Sequence, residues 1–233
     1  MSEELEKIIR EEAKKLLESG EVRVIVGWEK GSAPFKTTPV FIDKPEDVDK
    51  LVWNPACANN LAVYLPQLVK DGAVGIIAKP CDTRAVVTLL QEKQIERGDI
   101  KVIGTACSGI IDEGALSRAG IDLTEVRDIK LDGENLIVTT ESGTQTVPIS
   151  QVEKEACRIC EHRTPVFADV TVGEAQSSTA PADVEDMGTP EERRSFWAEQ
   201  FERCIRCYAC RQVCPQCYCA VCFIDRNDVR WTS

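Results

Sequence analysis

The segment Cys204-Ile-Arg-Cys207-Tyr-Ala-Cys210-Arg-Gln-Val-Cys214-Pro215 sets two residues between each of the first three cysteines and three before the fourth, with a proline after it. Such spacing wraps a backbone around a cubane iron–sulfur cluster. Three thiolates close on it from one tight loop, and the fourth typically reaches a different cluster. Zinc also takes thiolates with two-residue gaps, but its sites usually pair two such knuckles across a longer gap and do not call for the Cys-Pro ending. The spacing therefore points to [4Fe-4S] chemistry ahead of zinc. Cys217, Cys219 and Cys222 follow, so the tail holds seven cysteines, three more than one cluster takes and one short of two. Cys204, Cys207 and Cys210 are the ligands the spacing fixes. Their fourth partner, among Cys214, Cys217, Cys219 and Cys222, stays open.

Five cysteines lie outside the tail: Cys57, Cys81, Cys107, Cys157 and Cys160. Cys81 follows an apolar run in Ala-Lys-Pro-Cys-Asp-Thr-Arg, and Cys107 ends another in Gly-Thr-Ala-Cys-Ser-Gly. If these runs are neighbouring parallel strands, both thiols lie on the sheet edge where open α/β folds place ligands. With the Cys157-Arg-Ile-Cys160 pair they could hold one cluster; alternatively Cys81 and Cys107 are ordinary buried cysteines. Lys79 and Arg84, with a helix N-terminus near Asp82, would raise the reduction potential of a cluster there and are candidate cofactor-binding residues. Cys57 could join the tail cysteines in a third cluster, since twelve cysteines make three sets of four. That requires the tail to fold back; otherwise the tail holds one cluster and spare thiols. Two [4Fe-4S] clusters, or three, are expected.

These thiols need a scaffold. Residues 2–19 read as a helix capped by Ser2, with Leu5, Ile8, Ile9, Ala13, Leu16 and Leu17 as its apolar stripe and Gly20 as its stop. Strands are expected at 22–27 and 39–42, with a helical turn at Lys44-Pro-Glu-Asp and a helix at 59–69 kinked near Pro66. Residues 73–78 and 101–105 are nearly all apolar and flank a helix running from Asp82 to about Gln94, the pattern of a buried parallel βαβ unit. Segments 129–131, 136–140 and 144–149, with turns at Asp132-Gly133 and Ser142-Gly143, read as a small antiparallel insertion. The expected fold is α/β: a central, mostly parallel sheet with flanking helices and that insertion over residues 1–175. A polar linker, 176–190, then leads to a helix and a ferredoxin-like cluster-binding segment, 191–233.

The motifs Gly75-Ile-Ile-Ala-Lys-Pro-Cys81-Asp-Thr-Arg, Ile103-Gly-Thr-Ala-Cys107-Ser-Gly, and Cys157-Arg-Ile-Cys160 leading into Phe167-Ala-Asp-Val-Thr-Val-Gly173 occur in that order. Together they resemble the beta-subunit family of coenzyme F420 hydrogenases and dehydrogenases, over roughly residues 73–175. The resemblance implies that Cys81, Cys107, Cys157 and Cys160 hold a [4Fe-4S] cluster beside a flavin. It also implies that the protein passes electrons between clusters and a deazaflavin or nicotinamide-type carrier. The chain departs from the pattern at Trp53-Asn-Pro-Ala-Cys57-Ala-Asn-Asn60, where flavin-binding members carry a Gly-Gly-x-x-Thr helix start. It also has no G-x-G-x-x-G fingerprint. Bound FAD is an open expectation.

The other candidates are weaker. His162, the one histidine, sits two residues after Cys160 and could tune a cluster or take a proton. Trp197 and Phe201 share a helix face and, with Phe196, read as packing rather than as a redox relay. Lys30 and Lys36 bracket a Gly31-Ser32 loop as a weak anion site. A net charge of −11 argues against nucleic acid as a partner. No apolar run approaches the roughly 18–20 residues of a membrane span. The acidic start is not a secretory signal, so a reducing cytoplasm is expected, where clustered thiols mean metal or redox chemistry. The expected function is an electron-transfer subunit of an anaerobic complex, between a partner oxidoreductase subunit (hydrogenase, dehydrogenase or heterodisulfide-reductase-like) and a second carrier. One alternative is a flavin-containing catalytic subunit acting on a deazaflavin or nicotinamide coenzyme. Another is a non-redox thiolate sensor.

Overall fold

The computed structural model describes residues 2–174 and 188–222. Helix α1 (Ser2–Glu18) begins at Ser2 itself and buries Ile9 and Ala13 against the sheet. Ile8 is 39% exposed, so the apolar stripe is narrower than the sequence pattern. After Gly20, whose φ of 71° suits a residue without a Cβ, come β1 (Val24–Lys30) and β2 (Thr37–Ile42), an antiparallel pair.

The expected helix at 59–69 is instead three short turns, of which α2 (Leu65–Leu68) is the only α-helical one. Asn60 caps the first turn by accepting the Ala62 N–H at 3.1 Å, and Pro66 opens α2 rather than kinking a longer helix.

Strand β3 (Val74–Ala78), helix α3 (Pro80–Gln91) and strand β4 (Ile100–Thr105) form the parallel βαβ unit. Proline fits the first helical position, so α3 starts at Pro80, two residues earlier than expected. Asp82 therefore lies inside the first turn, where its carboxylate accepts the Lys79 N–H at 3.0 Å. Val86 and Leu89 are fully buried against the strands, each worth about 1.5–3 kcal/mol of burial.

Helix α4 (Glu113–Arg118) leads to a separate antiparallel sheet of β5 (Val126–Asp132), β6 (Asn135–Thr140) and β7 (Gly143–Pro148). The hairpin loops are Gly133-Glu134 and Glu141-Ser142, each one residue off the expected turn. Gly133, with φ 59°, takes the first loop position, where a type II′ turn calls for glycine. Short helices α5 (Ile149–Val152) and α6 (Glu155–Arg158) precede β8 (Val170–Val172). The main sheet runs β2-β1-β3-β4-β8, parallel except for the edge pair β2–β1.

Beyond the segment 175–187, where most of the expected linker lies outside the described residues, come α7 (Pro190–Phe201) and α8 (Ala209–Val213). Thr189 caps α7 with Glu192 completing the box. The aromatic residues of α7 pack on one another. Trp197 stacks on Phe201 at 5.9 Å and meets Phe196 edge-on at 5.2 Å, and all three stay exposed. Among the described residues, no helix is long and apolar enough to cross a membrane.

Candidate metal centre

Strands β3 and β4 pair Ala78 with Gly104, and Cys81 and Cys107 each stand three residues beyond that pair. Both thiols therefore hang from the C-terminal edge of the sheet, Cys81 in the first turn of α3 and Cys107 in the loop after β4. Cys157 lies on α6, and Cys160 follows in a turn closed by its own N–H to Cys157 O at 3.2 Å.

Three contacts bring these segments together. Thr83, buried in the first turn of α3, accepts the Val166 N–H on its hydroxyl at 3.2 Å, tying the Cys81 turn to the chain after Cys160. The Arg163 carbonyl accepts the Cys107 N–H at 3.0 Å, while its guanidinium donates to Cys157 O at 2.6 Å. That guanidinium also faces the buried Glu153 carboxylate at 3.3 Å. Gly109, with φ 115°, passes so close that a Cβ there would collide with Glu153 and Arg163. Gly104 plays a similar part on β4, since a Cβ would stand 2.8–2.9 Å from Ala168 and Pro165.

The sequence pattern does not single out Arg163, Glu153 or Thr83. An arginine three residues past a cysteine carries no spacing signal, and its contact with the Cys107 loop is made only in the fold.

The thiols share one electrostatic neighbourhood. Burial pushes Cys107 up to about 11, against the Gly109 N–H and Lys79, which pull it down, and Cys157 adds to the rise. Cys157 is raised by burial, with Glu153 and Cys160 adding to it. Cys81 is exposed, yet crowding by protein raises its thiol too, with Asp82, Cys107 and Cys157 contributing. These groups are therefore thiols at neutral pH, and binding any metal must displace their protons. Among the described residues, no three His, Cys, Asp or Glu side chains converge as a single ion requires. A cubane takes one thiolate on each of its irons, so its ligands need not meet at a point. Four thiols are the number and type of donor such a cluster takes.

Lys79 is buried beside this edge rather than open to a ligand. Its ammonium donates to Asp82 Oδ2 at 2.9 Å and Asn59 O at 2.6 Å, and sits 4.1 Å from the Trp28 ring centroid. Asp82 is raised by burial, against the pull of Lys79. Arg84 and His162 are exposed and line a groove of about 520 Å³ that runs along α3 from Cys81 to Thr88.

The tail reaches this groove. Gln216, between Cys214 and Cys217, lines it, and Tyr218 packs against the main core with its hydroxyl on the Glu92 carboxylate at the end of α3. Arg206 and Tyr208 take left-handed φ values of 56° and 61°, turning the chain sharply between Cys204, Cys207 and Cys210. Non-glycine residues in that region cost about 1–3 kcal/mol each and cluster at functional loops. Cys217 is raised by burial, then by Cys214, with Cys222 contributing, so these three share a second neighbourhood. Cys204, Cys207, Cys210, Cys217 and Cys219 are exposed, and Cys214 and Cys222 are half-buried.

Cys57 is fully buried in the main core. Its sulfur accepts the Asn54 N–H at 3.5 Å and faces Val52 O at 3.8 Å, and burial pushes it up to about 12. Lys36 is taken up by Glu113 at 3.3 Å. On the other side of Cys107 lies a cleft of about 440 Å³ walled in part by Trp53 and α1.

The profile for the C terminus of the coenzyme F420 hydrogenase/dehydrogenase beta subunit matches residues 71–194, the stretch that carries Cys81, Cys107 and the Cys157–Cys160 pair. The chain belongs to this beta-subunit family. The F420-dependent formate dehydrogenase 1 subunit beta of Methanococcus maripaludis is 23% identical over 282 residues, covering 93% of this chain and 73% of that protein. The F420-dependent formate dehydrogenase subunit beta of Methanocaldococcus jannaschii is 22% identical over 278 residues, with the same coverage. The F420-reducing [NiFe] hydrogenase complex from Methanosarcina barkeri contains a chain of like fold. Its TM-score is 0.56 at 20% identity, over 87% of this chain and 76% of that one. Relatives of this beta-subunit family member are thus parts of hydrogenase and dehydrogenase complexes.

Proposed function

We propose that this member of the beta-subunit family is an iron–sulfur electron-transfer subunit of a cytoplasmic redox complex, relaying electrons between a partner oxidoreductase subunit and a second carrier. The observation that carries the reading is the Arg163 contact set, which holds the Cys107 and Cys157 loops together at the sheet edge. Cys81, Cys107, Cys157 and Cys160 are the proposed ligands of one [4Fe-4S] cluster, a group that accepts and gives up single electrons when bound. Cys204, Cys207 and Cys210, with a fourth from Cys214, Cys217, Cys219 or Cys222, are the proposed ligands of a second.

The residues around the first site hold it in place. Burial raises the thiols of Cys57, Cys81 and Cys107, and the Lys79 ammonium pulls against that rise in all three. The same charge would favour the more negative, reduced form of a group bound there, raising its potential. Burial and two sulfur contacts give Cys57 a core role, so a third cluster is left out of the proposal.

The test is anaerobic reconstitution with iron, sulfide, zinc and flavin counted per chain. About eight irons and eight sulfides are expected for two cubanes. Stoichiometric zinc without sulfide would end the reading in favour of the thiolate sensor. The flavin-bearing catalytic subunit is the second reading, favoured by the cleft against Cys107. Flavin retained at one per chain would support it.

A further inference from the structure

We infer that the groove along α3, beside Cys81, is a docking surface for a small acidic electron-carrier protein. The inference rests on the relay reading and deepens it, since it makes the second carrier a protein and gives the face on which that protein stands.

The groove, of about 520 Å³, is lined by Cys81, Arg84, Val87, His162 and Val166, and by Gln216 of the tail. It touches both proposed cluster segments, because Cys81 belongs to the sheet-edge thiols and Gln216 stands between Cys214 and Cys217. A partner seated here meets both. Apolar side chains come to the surface at the same place. Val166 is 53% exposed, and Ile159, inside the Cys157–Cys160 pair, is 57% exposed. Exposed apolar groups rimmed by polar ones mark interaction sites. Electron-transfer pairs typically bury less than about 1,200 Å² in all, so a modest patch is enough.

Charge selects the partner. The chain carries a net charge of −11, yet among the described residues lining the groove none is Asp or Glu. Arg97, Arg118 and Arg127 each meet a carboxylate, whereas Arg84 meets none among the described residues. Asp82, next to Cys81, is buried on Lys79 and is not offered to the surface. On the other side of Cys107 the sign is reversed. The cleft there is lined by Glu4 and Glu174, with no Lys or Arg among its described lining residues. At 0.15 M salt, charges more than about 8 Å away are largely screened, so an approaching protein senses the groove rather than the whole chain. The sheet-edge site thus admits an anionic partner along α3 and repels it at the cleft. A small anion would find one exposed guanidinium and no second cation to close on it. A protein adds the apolar contact at Val166.

Titration calorimetry of the anaerobically reconstituted full chain with an oxidised acidic bacterial ferredoxin, at about 0.15 M salt, reads the docking without turnover. Saturable binding is expected, weakened about tenfold by Arg84→Glu and by Val166→Asp, and kept within about threefold by Arg84→Lys. Arg84 and Val166 are exposed, so these exchanges keep the fold. Arg118→Glu makes the same change of charge on α4, which lines no part of the groove, and should leave binding unaltered. Inorganic phosphate at matched ionic strength should not compete. No saturable binding, equal losses from Arg84→Glu and Arg118→Glu, indifference to Val166→Asp, or displacement by phosphate would each overturn the inference. So would a loss from Arg84→Lys as large as that from Arg84→Glu. Iron and sulfide counted on the same samples judge the relay separately. Full iron without ferredoxin binding sinks the docking surface alone, and ferredoxin binding to a chain that takes up no iron sinks the relay alone.

Discussion

Arg163 joins the Cys107 backbone to the Cys157 carbonyl and the Glu153 carboxylate. Arg163→Gln leaves a buried carboxylate without its cation, which costs about 3 kcal/mol or more. Urea unfolding of the apo chain should show that loss, and the reconstituted variant should release iron faster than the wild type. Arg163→Lys should recover little, because a single ammonium cannot reproduce a planar fork that serves two acceptors.

Cys57 gives a pH prediction with a definite sign. Its thiol is raised to about 12 in the fold, so the burial that favours the neutral form stabilises the protein fully below the ordinary thiol range. That contribution disappears as pH climbs from about 9 toward 12. Apo wild type should lose stability over that interval, and Cys57→Ala should lose less, as read from unfolding midpoints at pH 8 and 10.5. The iron content of Cys57→Ser should equal that of the wild type; a drop by about four irons would restore the third cluster.

At the scale of elements, α3 depends on the Lys79–Asp82 pair, both members of which are buried. Lys79→Met should cost about 3–5 kcal/mol by stranding Asp82, and Lys79→Met/Asp82→Leu should cost less than the single change. Thermal unfolding of the apo proteins measures both. The sequence makes this βαβ unit legible because Val74–Ala78 and Ile100–Thr105 are continuous apolar runs bounded by Pro80 and by a loop cysteine. Placing Cys81 and Cys107 at one sheet edge follows from nothing more than strand pairing. The start of α3 is harder to read because Asp82 caps from inside the helix, through a contact to the residue before Pro80. The 59–69 segment misleads because its apolar spacing suits a helix, while Asn60 and Pro66 break it into turns. Arg163, Thr83 and the cleft are invisible in the sequence for a different reason. Deciding partners lie far away along the chain, as with Thr83 and Val166 or Arg163 and Cys107, and no local period encodes such contacts.

For the whole molecule, the tail is held to the α/β body at Tyr218, which packs against the main core and reaches Glu92. Among the described residues, α7 buries no side chain, so this hold is made after the helix rather than by it. Tyr218→Ala should raise hydrogen exchange across 204–222 by about tenfold or more while leaving β3 and β4 protected. Equal exchange in both proteins would mean that the tail is secured elsewhere. Tyr218→Phe keeps the packing and should give an intermediate result.

Helix α3 carries Cys81 in its first turn and is followed directly by Glu92, the residue that meets Tyr218. Eleven residue-to-residue steps lead from one to the other, a span of about 16 Å along the axis. The helix is in effect a gauge block set between the sheet-edge thiols and the anchored tail. Exchanges on its solvent side, at Arg84 or Gln91, leave that gauge untouched. Inserting a single residue would swing everything beyond it by about 100°, and a whole added turn would lengthen it by about 5.4 Å. In this part of the chain, residue number should therefore be held more strictly than residue identity.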